Sequence, residues 1–90
     1  YNYRLQMGLG RASYNFHNYS LAETAYSMAI EIQQESTDAW SMLADAQLKQ
    51  NKVKPALVAI NQAIRLSPED GALKKRRLEI LNVSRYHDPE

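Results

Sequence analysis

Histidine is the side chain of this sequence best suited to proton transfer near neutral pH, and the chain has two, His17 and His87. A nucleophile–base pair would place one of them beside a serine or cysteine, with a carboxylate to orient its ring. His17 has no carboxylate at helical spacing, His87 lies in a tail without pattern, and the chain has no cysteine. Metalloprotease, phosphate-loop and acidic metal motifs are also absent from the sequence. We therefore predict a protein that is not an enzyme, with no catalytic residue, metal site or cofactor.

The densest run of charge, Lys74-Lys75-Arg76-Arg77, has two interpretations. It could bind nucleic acid or another anion, or it could be the solvated face of a terminal helix. The same predicted helix also carries Glu69, Asp70 and Glu79, which dilute the positive field. The second interpretation is favoured, and no nucleic acid is expected among the partners.

The bulk composition is that of one small globular domain. The chain has 90 residues, a net charge of +1 and 44% apolar residues. No apolar run approaches the roughly 18 residues of a membrane span, so we expect a soluble protein, either cytoplasmic or periplasmic. The chain opens at Tyr1 with no signal-peptide pattern, and we interpret it as a fragment of a longer protein.

Apolar residues recur at spacings of three and four, which is the stripe of an amphipathic helix. The pattern repeats five times and predicts helices near 3–16, 19–33, 37–50, 53–66 and 69–84. Two predicted turns contain asparagine, Asn18 and Asn51, a residue that tolerates the left-handed conformation of tight turns. Ser67 followed by Pro68 is typical of a helix cap and first turn, and predicts the start of the last helix.

The sequence matches itself when it is shifted by 34 residues. Identical residues then pair along both helices of each unit: Leu9 with Leu43, Ala12 with Ala46, Ala22 with Ala56, Ala25 with Ala59, Ala29 with Ala63, and Ile30 with Ile64. Small residues at fixed spacing are typical of close helix crossings. A period of 34 residues built from two helices indicates a helical repeat array.

The second unit resembles the tetratricopeptide repeat (TPR) family, whose pattern is Trp, Leu, Gly, Ala, Phe, Ala, Pro. At the same spacings this chain has Trp40, Leu43, Ala44, Ala56, Ile60, Ala63 and Pro68. The first unit matches at Leu9, Gly10, Ala22, Tyr26 and Ala29, and departs from the pattern with Gln6, Ser13 and Gln34. The resemblance implies an all-α fold of antiparallel helix-turn-helix repeats stacked as a right-handed solenoid. Its units would be repeat 1 at 3–36, repeat 2 at 37–70, a capping helix at 69–84 and a tail at 85–90.

The first helix of each TPR lines a concave groove that binds a peptide or a helical segment of another protein. Carried over by position, the resemblance implies a groove lined by Arg4, Met7, Arg11, Tyr14, Asp38, Ser41, Met42, Asp45, Leu48, Lys75, Arg76 and Glu79. Arg11 and Asp45 occupy the same slot of successive repeats, and either pair with each other or meet charges on the ligand.

One TPR subclass binds the carboxyl-terminal carboxylate of heat-shock chaperones through Lys, Asn, Asn, Lys and Arg. Those slots hold Met7, Arg11, Met42, Ala72 and Arg76 here. Two methionines and an alanine do not bind a carboxylate, so a chaperone partner is not expected.

The resemblance therefore implies a protein–protein interaction module within an assembly factor or multiprotein complex. A second hypothesis is a non-catalytic accessory domain of an enzyme such as a peptidase or transferase. A third is self-association through the uncovered end of the stack, where Leu5 and Tyr1 would face outward.

Overall fold

The computed structural model describes residues 2–87, with side chains to residue 83, and within that range it is all-helical, without a β-strand. Five helices follow in order: α1 (Tyr3–Asn15), α2 (Tyr19–Ile32), α3 (Thr37–Lys49), α4 (Val53–Leu66) and α5 (Gly71–His87). The predicted all-α fold is confirmed, and the first four predicted helices agree with the observed ones to within one residue at each end.

The last helix differs from its prediction at both ends. Ser67 does not begin α5 but ends α4, and the Asp70 N–H donates to the Ser67 carbonyl across a turn that contains Pro68. The Asp70 carboxylate accepts from the Ala72 N–H at 3.0 Å, so α5 begins after the stronger, charged cap. It then runs to His87, through part of the predicted tail. The rest of that tail, 88–90, lies outside the described residues, as does Tyr1.

Two tight turns show the same backbone geometry 34 residues apart. His17 and Asn51 have positive φ angles of 64° and 65°. The N–H groups of the next residues donate to equivalent carbonyls, Asn18 to Ser13 and Lys52 to Gln47. This is the C-terminal helix cap in which the left-handed residue is usually glycine. In the first turn the left-handed residue is His17 and not the expected Asn18, because Asn18 instead caps α2 through its side chain. These short turns make α1 antiparallel to α2, and α3 antiparallel to α4.

Each helix packs against the next one in the chain, so that α2 lies against both α1 and α3, and α4 against both α3 and α5. The core between them is rich in alanine. Seven alanines have no exposed surface at all: Ala22, Ala29, Ala39, Ala44, Ala46, Ala56 and Ala63. A buried alanine allows two helix backbones to approach closely, and larger side chains such as Ile60 and Ile80 fill the space beside these crossings.

At Gly10, α1 lies very close to a side chain of α2. A Cβ atom added at Gly10 would lie 2.6 Å from Cδ1 of Tyr26, closer than real Cβ contacts allow. Tyr26 is itself buried, as its place in the apolar stripe predicts. The equivalent positions in the second helix pair hold Ala44 and Ile60. The larger ring of the first pair therefore requires the smaller residue opposite it, whereas isoleucine leaves room for a methyl group.

We expect Gly10→Ala to lower the free energy of unfolding by about 1–3 kcal/mol, because the new methyl group overlaps the Tyr26 ring. Combining it with Tyr26→Ile recreates the residue pair of the second unit. The double variant should therefore lose less stability than the sum of the two single variants. Urea denaturation of all four proteins measures this coupling. Strictly additive losses would contradict the contact.

Candidate functional site

A pocket of about 240 Å³ opens where α1, α2 and α3 meet. It is lined by Arg11, Tyr14, Asn15, Tyr26, Met42 and Asp45. Helical spacing explains why α1 contributes its three members: Arg11, Tyr14 and Asn15 stand three and four residues apart on one face. Met42 and Asp45 likewise stand three apart on α3. The pocket thus lies between one face of α1 and one face of α3, and both of these helices pack against α2.

Aromatic rings and a methionine form the apolar part of the pocket. Tyr26 is 2% exposed, and its position is fixed by the contact with Gly10. Tyr14 packs edge-on against Tyr19, with ring centroids 5.1 Å apart and planes at 72°, which holds the Tyr14 ring in place. Met42 is half-buried against the core. A partner's apolar side chain would therefore meet a preformed surface with an adaptable thioether at one side.

The polar side of the pocket is organised by Arg76, which reaches across from α5. Its Nη1 donates to Asp45 Oδ2 at 2.7 Å and to Ser41 Oγ at 3.1 Å. Asp45 therefore pairs with Arg76 and not with Arg11, which was one of the two predicted options. Arg11 is exposed and forms no ion pair among the described side chains. Its guanidinium remains available to a ligand carboxylate.

Burial changes the acidity of the groups in the pocket. It raises the pKa of Asp45, and the nearby Glu79 raises it further, while Arg76 and Lys49 act in the opposite direction without outweighing burial. Burial also raises the pKa of Tyr14, with a further contribution from the Asp45 charge. The Tyr14 hydroxyl is therefore protonated at neutral pH and remains a hydrogen-bond donor.

The structure brings together six of the twelve predicted groove residues. Arg11, Tyr14, Met42 and Asp45 line the pocket, and Ser41 and Arg76 join it through hydrogen bonds. Met7 is 3% exposed and belongs to the core, so it presents almost no surface to a partner. Leu48 also packs against the core. The remaining four are exposed outside the pocket lining: Arg4, Asp38, Lys75 and Glu79.

Sequence reasoning missed two residues of the pocket, Asn15 and Tyr26. Asn15 stands four residues after Arg11, so helical spacing alone could have placed it on the same face. Tyr26 was assigned to the core, which is correct, but one part of its ring also reaches the pocket. No sequence signal distinguishes a core ring that borders a pocket from one that does not.

A second polar cluster lies on α2 and has a structural role. Glu23 Oε1 accepts from Gln50 Nε2 at 2.8 Å and from Lys52 Nζ at 2.9 Å, and its Oε2 accepts from Gln47 Nε2 at 3.2 Å. Burial alone would raise the pKa of Glu23, but these hydrogen bonds together lower it. The carboxylate thus connects α2 to α3 and to the turn that follows α3.

His17 packs edge-on against Tyr19, with ring centroids 5.8 Å apart, in the turn between α1 and α2. Within residues 2–87, no group of three His, Cys, Asp or Glu residues is arranged to hold a metal ion. None of the helices described there combines the length and apolarity that a membrane crossing needs.

No protein-family model matches the sequence, and no curated protein matches it significantly.

The two partly buried carboxylates, Glu23 and Asp45, should affect stability with opposite pH dependence. The pKa of Glu23 is lowered, so its stabilisation is present above the ordinary glutamate range and is lost as the pH falls through the folded-state pKa. The pKa of Asp45 is raised, so its ionised form opposes folding, and stability is lost as the pH rises through the folded-state pKa.

At neutral pH we therefore expect Glu23→Gln to melt at a lower temperature than the parent, and Asp45→Asn at a higher one. The Asp45→Asn difference should shrink as the pH falls towards the ordinary carboxyl pKa of about 4, and the Glu23→Gln difference as the pH falls below it. Thermal melts from neutral to acidic pH measure this. A lower melting temperature for Asp45→Asn at neutral pH would mean that the Arg76 ion pair outweighs burial.

Proposed function

We propose that this chain is a TPR-type module that binds another protein as part of a larger assembly. The helix pairs would stack as a right-handed solenoid, with α1, α3 and α5 side by side along a concave groove. A peptide or helical segment of the partner would lie in that groove. The observation that carries the proposal is the pocket, because it draws Arg11, Tyr14, Met42 and Asp45 from equivalent faces of α1 and α3.

The 34-residue repetition of structure supports the family resemblance. His17 and Asn51 share one unusual backbone conformation at equivalent positions. Gly10 with Tyr26, and Ala44 with Ile60, are alternative solutions to the same helix crossing. The turn residues His17 and Asn51 are not among the residues that first suggested the family, so their shared conformation supports the resemblance independently.

The size and lining of the pocket favour a side-chain anchor over a small-molecule ligand. Its volume of about 240 Å³ is below the roughly 300–1,000 Å³ of ordinary small-molecule sites. An apolar side chain of the partner would enter between Tyr14 and Met42, since buried apolar anchors supply most interface energy. Arg11 at the pocket would pair with an acidic neighbour of that anchor and fix its register.

Substitution of the pocket residues tests the proposal. Peptides selected from a phage-displayed library against the intact chain supply the probe, and one selected peptide is then titrated by calorimetry. We expect Tyr14→Ala and Met42→Ala each to weaken binding about tenfold or more, which is the loss of roughly 1.4 kcal/mol expected for an interface anchor.

Gln62→Ala and Ser27→Ala are the controls, because these residues lie on α4 and α2, away from the pocket lining. Circular dichroism of all four variants separates lost binding from lost helix. If the control pair abolishes binding while the pocket pair retains it, the partner binds the second helices and the groove assignment is wrong.

A further inference from the structure

The hydroxyl group of Tyr26 lies at the floor of the pocket and forms no hydrogen bond among the described residues. The Tyr26 side chain is 2% exposed, and its ring packs against Gly10. Its oxygen is nevertheless not one of the fully buried polar atoms without a partner, so the small exposed part of the residue includes the hydroxyl. Because Tyr26 lines the pocket, this hydroxyl faces a ligand there. A hydroxyl group that is almost removed from water is stabilised when a ligand hydrogen-bonds to it.

Two groups of opposite charge lie near this hydroxyl. Burial raises the pKa of Tyr26, the Arg11 charge lowers it and the Asp45 charge raises it, which places both charges close to the phenol oxygen. Asp45 Oδ2 accepts from Arg76, whereas Asp45 Oδ1 has no hydrogen bond among the described side chains. The pocket therefore offers a ligand one carboxylate acceptor together with two donors, the Tyr26 hydroxyl and the Arg11 guanidinium.

This combination favours an uncharged ligand group that both donates and accepts. A carboxylate would accept from the Tyr26 hydroxyl but would face the Asp45 charge. An ammonium group would donate to Asp45 but would face Arg11 and Arg76. An apolar group would leave the Tyr26 hydroxyl unpaired. A hydroxyl group accepts one hydrogen bond and donates another, so it matches both Tyr26 and Asp45.

The rest of the pocket favours an aromatic body behind that hydroxyl. The Tyr14 ring and the Met42 thioether form apolar sides, and both pack favourably against an aromatic ring. The pocket volume of about 240 Å³ exceeds the roughly 150 Å³ of a cavity that holds benzene. Tryptophan has an aromatic body but only donates, and histidine lacks an apolar body. Tyrosine is the side chain that combines the body with the required tip.

We propose that the pocket is specific for a tyrosine side chain of the partner protein. The ring of that tyrosine packs between Tyr14 and Met42, and its hydroxyl accepts from the Tyr26 hydroxyl and donates to Asp45. This tyrosine is the apolar anchor of the proposed function, on which the assignment rests. Tyr26 is then a residue that determines specificity, because it distinguishes tyrosine from phenylalanine, which has the same ring without the hydroxyl.

Selection of random peptides against the parent chain and against Tyr26→Phe, side by side, tests the assignment. The variant keeps the ring that packs against Gly10 and removes a hydroxyl without a partner, so it should fold and melt like the parent. We expect tyrosine to be enriched at one position of the peptides that bind the parent, and phenylalanine at that position in peptides that bind the variant.

Tyr19→Phe is the matched control, because Tyr19 packs against Tyr14 but lies outside the pocket lining. This variant should select tyrosine as the parent does.

One selected peptide and its form with phenylalanine in place of the tyrosine are then titrated by calorimetry against the parent and Tyr26→Phe. We expect the parent to bind the phenylalanine peptide about tenfold more weakly, since Tyr26 and Asp45 both lose their partner. Tyr26→Phe should weaken binding of the tyrosine peptide about fivefold, the effect of one neutral hydrogen bond. The loss on changing the peptide should be smaller with Tyr26→Phe than with the parent.

The possible failures are distinguishable. Peptides that depend on Tyr14 and Met42 but bind equally well with phenylalanine would overturn the tyrosine assignment and leave the proposed groove intact. If neither chain selects a peptide that depends on Tyr14 and Met42, the proposed function is wrong together with the assignment.

Discussion

The close approach of neighbouring helices is the constraint on which the rest of this structure depends. At Gly10 the Tyr26 ring occupies the space that a Cβ atom would need. Along the other crossings, alanines with no exposed surface have the same function. A chain of this size buries only a modest share of its surface, so close packing over many small contacts must stabilise it. Small residues at fixed intervals therefore determine the fold.

This packing also creates the pocket, because α1 and α3 both pack against α2, and the Tyr3 hydroxyl bonds to Ser36 at the start of α3. Tyr26 contributes both to the helix packing and to the pocket. Its ring fills the crossing at Gly10 and borders the cavity between Tyr14 and Met42. The pocket is thus bordered by the buried Tyr26 and by Tyr14 and Met42, which are only partly buried against the core. The Arg76 hydrogen bonds then attach α5 to the polar side of the same pocket.

Local features of the fold were predictable from the sequence, whereas features that depend on distant partners were not. The spacing of apolar residues and the polar breaks located four helices to within one residue, since both signals act over one or two turns. The start of α5 was misjudged because Asp70 competes with Ser67 as the cap, and a charged acceptor near a helix N-terminus is the stronger one. Half of the predicted groove residues meet at the pocket. Met7 is buried and Asp45 pairs with Arg76 because of how the helices pack against one another. The local sequence pattern contains no information about that packing.

The comparison of the two helix pairs separates residues that the packing requires from residues that it leaves free. Where helices cross, the two helix pairs have either the same residue or a compensating change in size. Alanine occupies equivalent positions in both, while the small Gly10 opposite the large Tyr26 corresponds to the larger Ala44 with the smaller Ile60. On the faces of α1 and α3 that would line the groove they disagree, since the counterparts of Arg11 and Tyr14 are Asp45 and Leu48. Of these four residues, Tyr14 and Leu48 pack against the core and Asp45 pairs with Arg76, whereas Arg11 is exposed and has no ion pair among the described side chains. Internal packing therefore makes the least demand on Arg11, and under the proposed function it is the position that a partner would most directly determine.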